Sequence, residues 1–436
     1  GETVRRERVQ AVLTATASRW ARPVQPTALD GQDAESRFRE LQALHAERLG
    51  AEYVHDRLDI ADRAVSLGRR TGSADYTAWG LAWRIDALAQ LGDRIAVEAE
   101  LAVLDQVAAR LQEPAWTARL LRIRAMLTFA DGRLDDCRQL SDQAVASAPG
   151  DPWTQYLSLV LTAHVAQWSG EGLAEVEPLV RAAIEDAPFF ARGWLALILV
   201  GLGRTSEAAV IWRAIAPHVQ ELPRGALESF IAQAGHARLC AALGDREHAG
   251  AVYQELVPFA DLWVCGMADG PCDGPVHLQL GRLATLMDDL DIAQEHAAAA
   301  LEMAHSSHFL PSVADAHLVL AEISSVRAGL TRAGAADVIT HAQLALDQAR
   351  QYGFTPLAEK AQALLTAHRP RRSEVLTSRE EQIVALLAAG LSNRSIAQRL
   401  QLSERTVENH VSHVLTKTGH SSRAGVAAWY AGHGQQ

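Results

Sequence analysis

Residues 274–304 read GPVHLQLGRLATLMDDLDIAQEHAAAALEMA. Two amphipathic helices with a tight turn between them are written in this stretch. Val276, Leu280, Leu283, Ala284 and Met287 form one apolar stripe, and Ala293, Ala297, Ala300, Leu301 and Ala304 form the next. Asp288-Asp289 sits at the break. Immediately upstream, Ala249, Val252, Tyr253, Leu256, Val257 and Ala260 repeat the stripe at i, i+3, i+4, i+7, i+8 and i+11, one face of a 3.6-residue helix. Small alanines in each stripe let helices approach closely. One helix pair cannot bury both its faces, so such units must stack.

Outward from this stretch the punctuation recurs. Turns are expected at Gly92-Asp93, Gly132-Arg133, Gly170-Glu171-Gly172, Gly203-Arg204, Gly244-Asp245, Asp288-Asp289 and from Gly329 onward. Most lie roughly 40 residues apart, a period typical of helical-pair solenoids. Alternation with period two is essentially absent, and aromatics are only 6%, which favours helices over sheets. The fold class is all-α: a helical-repeat solenoid over residues 33–367, a segment 1–32 before it, a linker 368–376, and a small four-helix domain over 377–436. At 436 residues with 48% hydrophobic residues, the chain is long enough for two or three domains.

Charge divides the chain the same way. From Pro370 onward the balance is +3, whereas residues 1–369 carry −14. A small basic module on a large acidic body points to a nucleic-acid reader joined to something that does not itself bind nucleic acid. Lys360 and Lys417 are the only lysines, and neither has the glycine-rich context of a phosphate-binding loop. No G-x-S-x-G, H-E-x-x-H or dinucleotide glycine fingerprint is present either, so no enzymatic activity and no cofactor are expected. The longest apolar candidate, Trp194 to Val200, falls short of the roughly 20 residues that cross a bilayer, so no membrane partner is expected. The charged start GETVRRERVQ does not read as a signal peptide. Beginning with Gly rather than Met, it suggests a processed or tag-derived end with part of the natural protein missing. Cys137, Cys240, Cys265 and Cys272 form no disulfide framework, and a reducing cytosol fits them best.

Within the repeats, Trp79, Trp83, Trp116, Trp153, Trp168, Trp194 and Trp212 read first as packing between helices, with an aromatic-lined groove as the sharper alternative. Residues 261–275, DLWVCGMADGPCDGP, are the longest break. They read as a plain connector rather than a ligand loop or hinge. Cys265 and Cys272 with His277 match no usual zinc spacing, and no metal is expected.

The tail segment LTSREEQIVALLAAGLSNRSIAQRLQLSERTVENHVSHVLTKTGHSSRAGVAAW, residues 376–429, carries the most specific pattern. Thr377 and Glu380 form a capping box, and Gly390 stops the first helix in a left-handed conformation. Ser392 or Asn393 caps the second helix and Ser403 the third, across the short turn Gln401-Leu402. Gly419 ends the third, and Ser422 starts a fourth. Two helices joined by so short a turn have helix-turn-helix geometry. At about 100° per residue, Val407, Val411, Val414 and Leu415 share the inward side of the third helix. Arg405, Asn409, Ser412 and Thr416 share the outer side, flanked by Glu408 on one edge and Thr406, His413 and Lys417 on the other. A narrow polar face is what entry into a major groove requires.

The tail resembles the LuxR/FixJ-type DNA-binding domain through Leu376, Thr377, Arg379, Glu380, Gly390, Ser392, Asn393, Ile396, Ala397, Leu402, Ser403, Thr406, Val407, His410 and Val411. The repeats are similar to tetratricopeptide-like arrays. From about Val252 to Leu365, through residues 274–304 and ADVITHAQLALDQARQYGFTPLAEKAQALL (336–365), they resemble the sensory region of large ATP-dependent LuxR-type regulators of actinobacteria, whose ATPase has no counterpart in this chain. The resemblance implies a bacterial transcription regulator that binds double-stranded promoter DNA as a homodimer, with a small-molecule or protein effector in the helical repeats. It implies that Glu408, Asn409 and Ser412 face base edges, joined by Arg405 on the same face. Asn pairs with adenine, Glu accepts from cytosine N4, and Ser reads either. Thr406, Lys417, Arg394 and His413 are the phosphate candidates, with a helix-end charge as the plainer role for Lys417 and a pair with Arg405 as the plainer role for Glu408. Trp429 and Tyr430 are the dimer candidates, while Val426 is expected in the core. Arg369, Arg371 and Arg372 mark a tether that also has the charge to touch phosphate. The alternatives are the sensory-and-output part of a larger ATPase regulator, and an interaction scaffold with a vestigial tail.

Overall fold

A computed structural model of the chain describes residues 31–185, 187, 189–223, 225–330, 335–368, 376–418 and 420–432. Most of the segment 1–32, Arg369, Arg371 and Arg372 of the tether, and Gly419 lie outside the described residues. The chain divides into two compact units, one ending at Leu365 and the other beginning at Thr366.

The first unit is a succession of helices: α1 Gly31–Glu47, α2 Val54–Thr71, α3 Ala74–Leu91, α4 Arg94–Leu111, α5 Pro114–Ala130, α6 Leu134–Ser147, α7 Pro152–Ser169, α8 Leu173–Ala183, α9 Arg192–Gly201, α10 Thr205–Ile215, α11 Leu227–Leu243, α12 Arg246–Leu256, α13 Val276–Leu286, α14 Leu290–Ser306, α15 Leu310–Leu330, α16 Ala335–Tyr352 and α17 Thr355–Ala367. Sequence neighbours from α1 to α16 pack on one another. The turn chemistry explains the breaks. Gly92 takes φ +75 to end α3, and Asp93 then caps α4 by accepting from Ala96 N–H at 3.0 Å. Gly244 and Asp245 divide the work in the same way, and Asp288 takes the left-handed position that glycine fills elsewhere. The alanine stripe of α14, Ala293, Ala297, Ala300 and Ala304, is fully buried.

The tryptophans pack between helices. Trp83, Trp116 and Trp212 are buried, and Trp79, Trp153, Trp168 and Trp194 are half-buried. Trp79 meets Trp116 edge-on at 5.0 Å, and Trp168 meets Phe354 at 5.3 Å, geometries that aromatic quadrupoles favour.

Residues 261–275 depart from a plain connector. They hold a two-stranded antiparallel ribbon, β1 Trp263–Cys265 and β2 Cys272–Pro275, with a bulge in the pairing. Both strands are almost wholly buried. The first helices of several pairs grip the ribbon: Asp86 on α3 accepts from Ala268 N–H at 2.9 Å, and Gln90 donates to the Cys265 carbonyl oxygen at 3.3 Å. Arg122 on α5 pairs with Asp269 at 2.8 Å, and Arg238 on α11 pairs with Asp273 at 2.8 Å. The ribbon is therefore held by the first helices of three pairs, α3, α5 and α11. Strands this short, buried on both sides, leave no alternation in the sequence.

The array also folds back on itself. Arg94 donates to the His308 carbonyl oxygen at 2.8 Å, and Ser307 Oγ donates to the Gly92 carbonyl oxygen at 2.7 Å. Phe129, Trp263, Phe309 and Phe354 share one core with Leu161 and Leu346. At this seam a side chain on Gly92 has no room, since a Cβ there would stand 2.0 Å from Trp263 Nε1, whereas Gly72, at φ +70, faces open space. Gly92→Ala should therefore cost about 1–3 kcal/mol more than Gly72→Ala, because both pay for the left-handed backbone but only one overpacks. Urea midpoints followed by circular dichroism check this; equal midpoints would contradict the seam.

Candidate nucleic-acid interface

The second unit is built from α18 Ser378–Ala388, α19 Asn393–Leu400, α20 Glu404–Thr418 and α21 Arg423–Gly432. Its local signals work as their chemistry dictates. Thr377 Oγ1 accepts from Glu380 N–H, and the Glu380 carboxylate accepts from Thr377 N–H at 2.8 Å, closing the capping box. Gly390 takes φ +84 after α18. Ser392 accepts from Ser395 N–H at 3.2 Å to start α19. Gln401 adopts φ +53 to make the tight turn, and Ser403 accepts from Thr406 N–H at 3.1 Å to start α20.

Two small cores fix α20. Val407 packs with Ile383, Leu387, Ile396 and Ala397, while Val414 packs with Leu376, Val384 and Val426. Val411 and Leu415 are half-buried against these groups. With that side anchored, Arg405, Glu408, Asn409 and Ser412 are exposed. Among the described residues the side chains of Arg405, Glu408 and Asn409 make no hydrogen bond or ion pair, so the Glu408–Arg405 pair is not formed. His413 and Arg394 are exposed, and Thr406 is half-buried with its hydroxyl 2.7 Å from Ser403 Oγ.

Lys417 is paired within the domain. Its ammonium lies 2.6 Å from Glu380 Oε2, whose side chain is only 4% exposed. The buried capping carboxylate needs a counter-charge, and Lys417 supplies it. Burial works against the Glu380 charge, but Lys417 and the Thr377 donors together hold its carboxyl below the usual range. Two further bases are spent on structure. Arg379 donates to the Leu400 carbonyl oxygen at 2.7 Å, and Arg423 donates to the Leu391 carbonyl oxygen and to Asn393 Oδ1. Within this domain, Arg394, Arg399 and Arg405 are the described exposed guanidiniums without such partners. Arg399 follows exposed Ser395 by four residues and so shares that solvent-facing side of α19. Trp429 and Tyr430 are half-buried against the Val414 core, with the Trp429 ring 6.3 Å from His420.

Residues 374–430 match the family described as "Bacterial regulatory proteins, luxR family". The tail is a luxR-family helix-turn-helix domain. The nitrate/nitrite response regulator protein NarL of Escherichia coli strain K12 is 40% identical over 76 residues, covering 17% of this chain and 35% of that protein. The oxygen regulatory protein NreC of Staphylococcus aureus strain JH9 is 40% identical over 58 residues, 13% of this chain and 27% of that one. A "Putative HTH-type transcriptional regulator" of Mycobacterium bovis is 29% identical over 177 residues, 33% of this chain and 20% of its own length. That share exceeds what the luxR-family domain alone supplies. The chain spans between a fifth and about a third of the length of these curated relatives. Among the described residues no helix is long and apolar enough to cross a membrane.

Proposed function

We propose that this chain is a bacterial transcription regulator, not an enzyme, whose luxR-family domain binds double-stranded promoter DNA in a sequence-specific way. The observation that carries the reading is the outer face of α20: four exposed polar side chains held outward by buried Val407 and Val414. In this reading α20 enters the major groove and Asn409, Glu408, Ser412 and Arg405 meet base edges. Arg394, at the exposed start of α19, sits on phosphate with Thr406 and His413 beside it. Two copies pair on DNA through Trp429 and Tyr430. The helical unit responds to a small-molecule or protein effector and governs when the domain binds.

Asn409→Ala should cost about 1–3 kcal/mol at its cognate base and relax preference there. Arg394→Ala should weaken all sequences alike and reduce the salt slope by about 1. Fluorescence anisotropy on operator and scrambled duplexes, after selection of the operator from random DNA, separates the two. An Asn409→Ala protein with unchanged affinity and unchanged preference would remove the groove-entry reading.

The similarity to the Mycobacterium bovis protein, which reaches beyond the tail while spanning a fifth of that protein, favours a second reading. Here the chain corresponds to the sensory and output portion of a larger regulator. Sequencing the gene upstream of codon 1 distinguishes the two.

A further inference from the structure

Cys265 and Cys272 stand directly opposite each other in the ribbon. Cross-strand partners point to the same face with Cα atoms about 4.5–5.5 Å apart, inside the roughly 4.4–6.8 Å window that a disulfide spans. Both cysteines are reduced and buried. The Cys265 thiol donates to the Met267 carbonyl oxygen at 3.4 Å. The two residues also line an apolar cavity of about 70 Å³, shared with Met126, Ala130, Trp263 and Phe309.

We propose that Cys265 and Cys272 form an oxidisable dithiol, a modification site that an oxidant of the hydroperoxide class converts to an internal disulfide. Cys272, the more exposed of the two, reacts first. Its thiolate attacks the peroxide oxygen, an S–O bond forms, the O–O bond breaks, and the departing alkoxide or hydroxide takes up the proton released by the thiol. The Cys265 sulfur then attacks the sulfenic acid. The S–S bond forms, the S–O bond breaks, and the hydroxyl leaves as water with the Cys265 proton. Two thiols and one hydroperoxide become one disulfide, one water and one alcohol or second water. The neighbouring Cys272 thiol and burial together hold the Cys265 thiol well above its ordinary value. Cys137 and Cys240 are buried without a facing thiol, each pushed up to about 12 by desolvation.

The bridge closes the ribbon tip that carries Ala268 and Asp269, the contacts through which α3 and α5 grip it. The oxidation state is thereby mechanically linked to the repeats.

The test treats the full chain in native buffer with hydrogen peroxide, quenches with catalase, and alkylates after unfolding. The expected result is a loss of about 2 Da, two of the four thiols protected, a cross-linked peptide joining Cys265 to Cys272, and restoration by dithiothreitol. Four thiols still alkylated overturns the proposal. So does a product that stops at added oxygen, or a bridge that uses Cys137 or Cys240. Cys272→Ser should abolish the mass loss and leave oxygen addition at Cys265 at least tenfold slower; mapping on the unaltered chain stands whether or not that variant folds.

Discussion

Replacing Arg122 with methionine is expected to destabilise the helical unit by about 3–5 kcal/mol, the usual cost of leaving a buried charge without its partner. Arg122 and Asp269 are 2% and 0% exposed in their side chains. The guanidinium gives Nε at 3.2 Å and a terminal nitrogen at 2.8 Å to Asp269 Oδ2, and its other terminal nitrogen reaches Thr154 Oγ1 at 3.1 Å. Asp269 Oδ1 has no hydrogen-bond partner among the described residues, so no second donor replaces Arg122, and Arg119 remains only as a nearby charge. The neighbouring carboxylate behaves differently. Burial pushes Asp86 up despite Arg119 at 2.6 Å, whereas burial of Asp269 is outweighed by the charges of Arg119 and Arg122, and its carboxyl falls below the usual range. The folded state therefore prefers ionised Asp269. The stability it contributes is present above its unfolded value of about 3.9 and is lost as the pH falls through the lower folded value. Adding Asp269→Asn to Arg122→Met should return a substantial part of the loss at pH 7, since the double variant buries no unpaired charge. Urea titrations of the single and double variants measure this. A single-variant loss below about 1 kcal/mol would mean that water or backbone rearrangement satisfies Asp269.

Glu380→Ala should cost the luxR-family domain about 3 kcal/mol: roughly 1 for the cap and about 1.5–3 for hydrogen bonds to a charged group. A domain of this size holds on the order of 3–9 kcal/mol in total, so a large share would go. Lys417 is more than a third exposed, and solvent screening keeps the figure at the lower end. Glu380→Gln, which retains the reach to Thr377 but loses the charge, should fall between. The depressed Glu380 carboxyl contributes above its ordinary value and withdraws as the pH drops through the folded one. Acid should accordingly loosen this domain. Hydrogen exchange of peptides within 376–418, read in the full chain by mass spectrometry, follows both effects. Protection unchanged in Glu380→Ala would contradict the assigned role.

The sequence announces what is decided locally. Gly92-Asp93 and Gly244-Asp245 ended and restarted helices because a left-handed residue and a capping carboxylate act within a few residues. Thr377, Ser392 and Ser403 opened the tail helices for the same reason, and the angular arithmetic on α20 put Val407 inside and Asn409 outside, as observed. What went unread is long-range. A charge count cannot show that Arg379, Arg423 and Lys417 are spent on partners more than 20 residues away. Nor does a period-based reading find the ribbon, whose strands are three and four residues long. Its buried Trp263, Val264 and Cys265 looked like loop composition because Gly and Pro surround them.

The contact of Ser307 and His308 with Gly92 and Arg94 has a further implication. In an open stack, modules can be inserted or deleted with only local cost, because each touches its neighbours alone. Here an added or missing module would carry Ser307 away from Gly92 and Phe309 away from Trp263 and Phe129. The tally of modules between those positions is thus dictated by fit, and the unit should lose its structure in one cooperative step rather than fraying from an end.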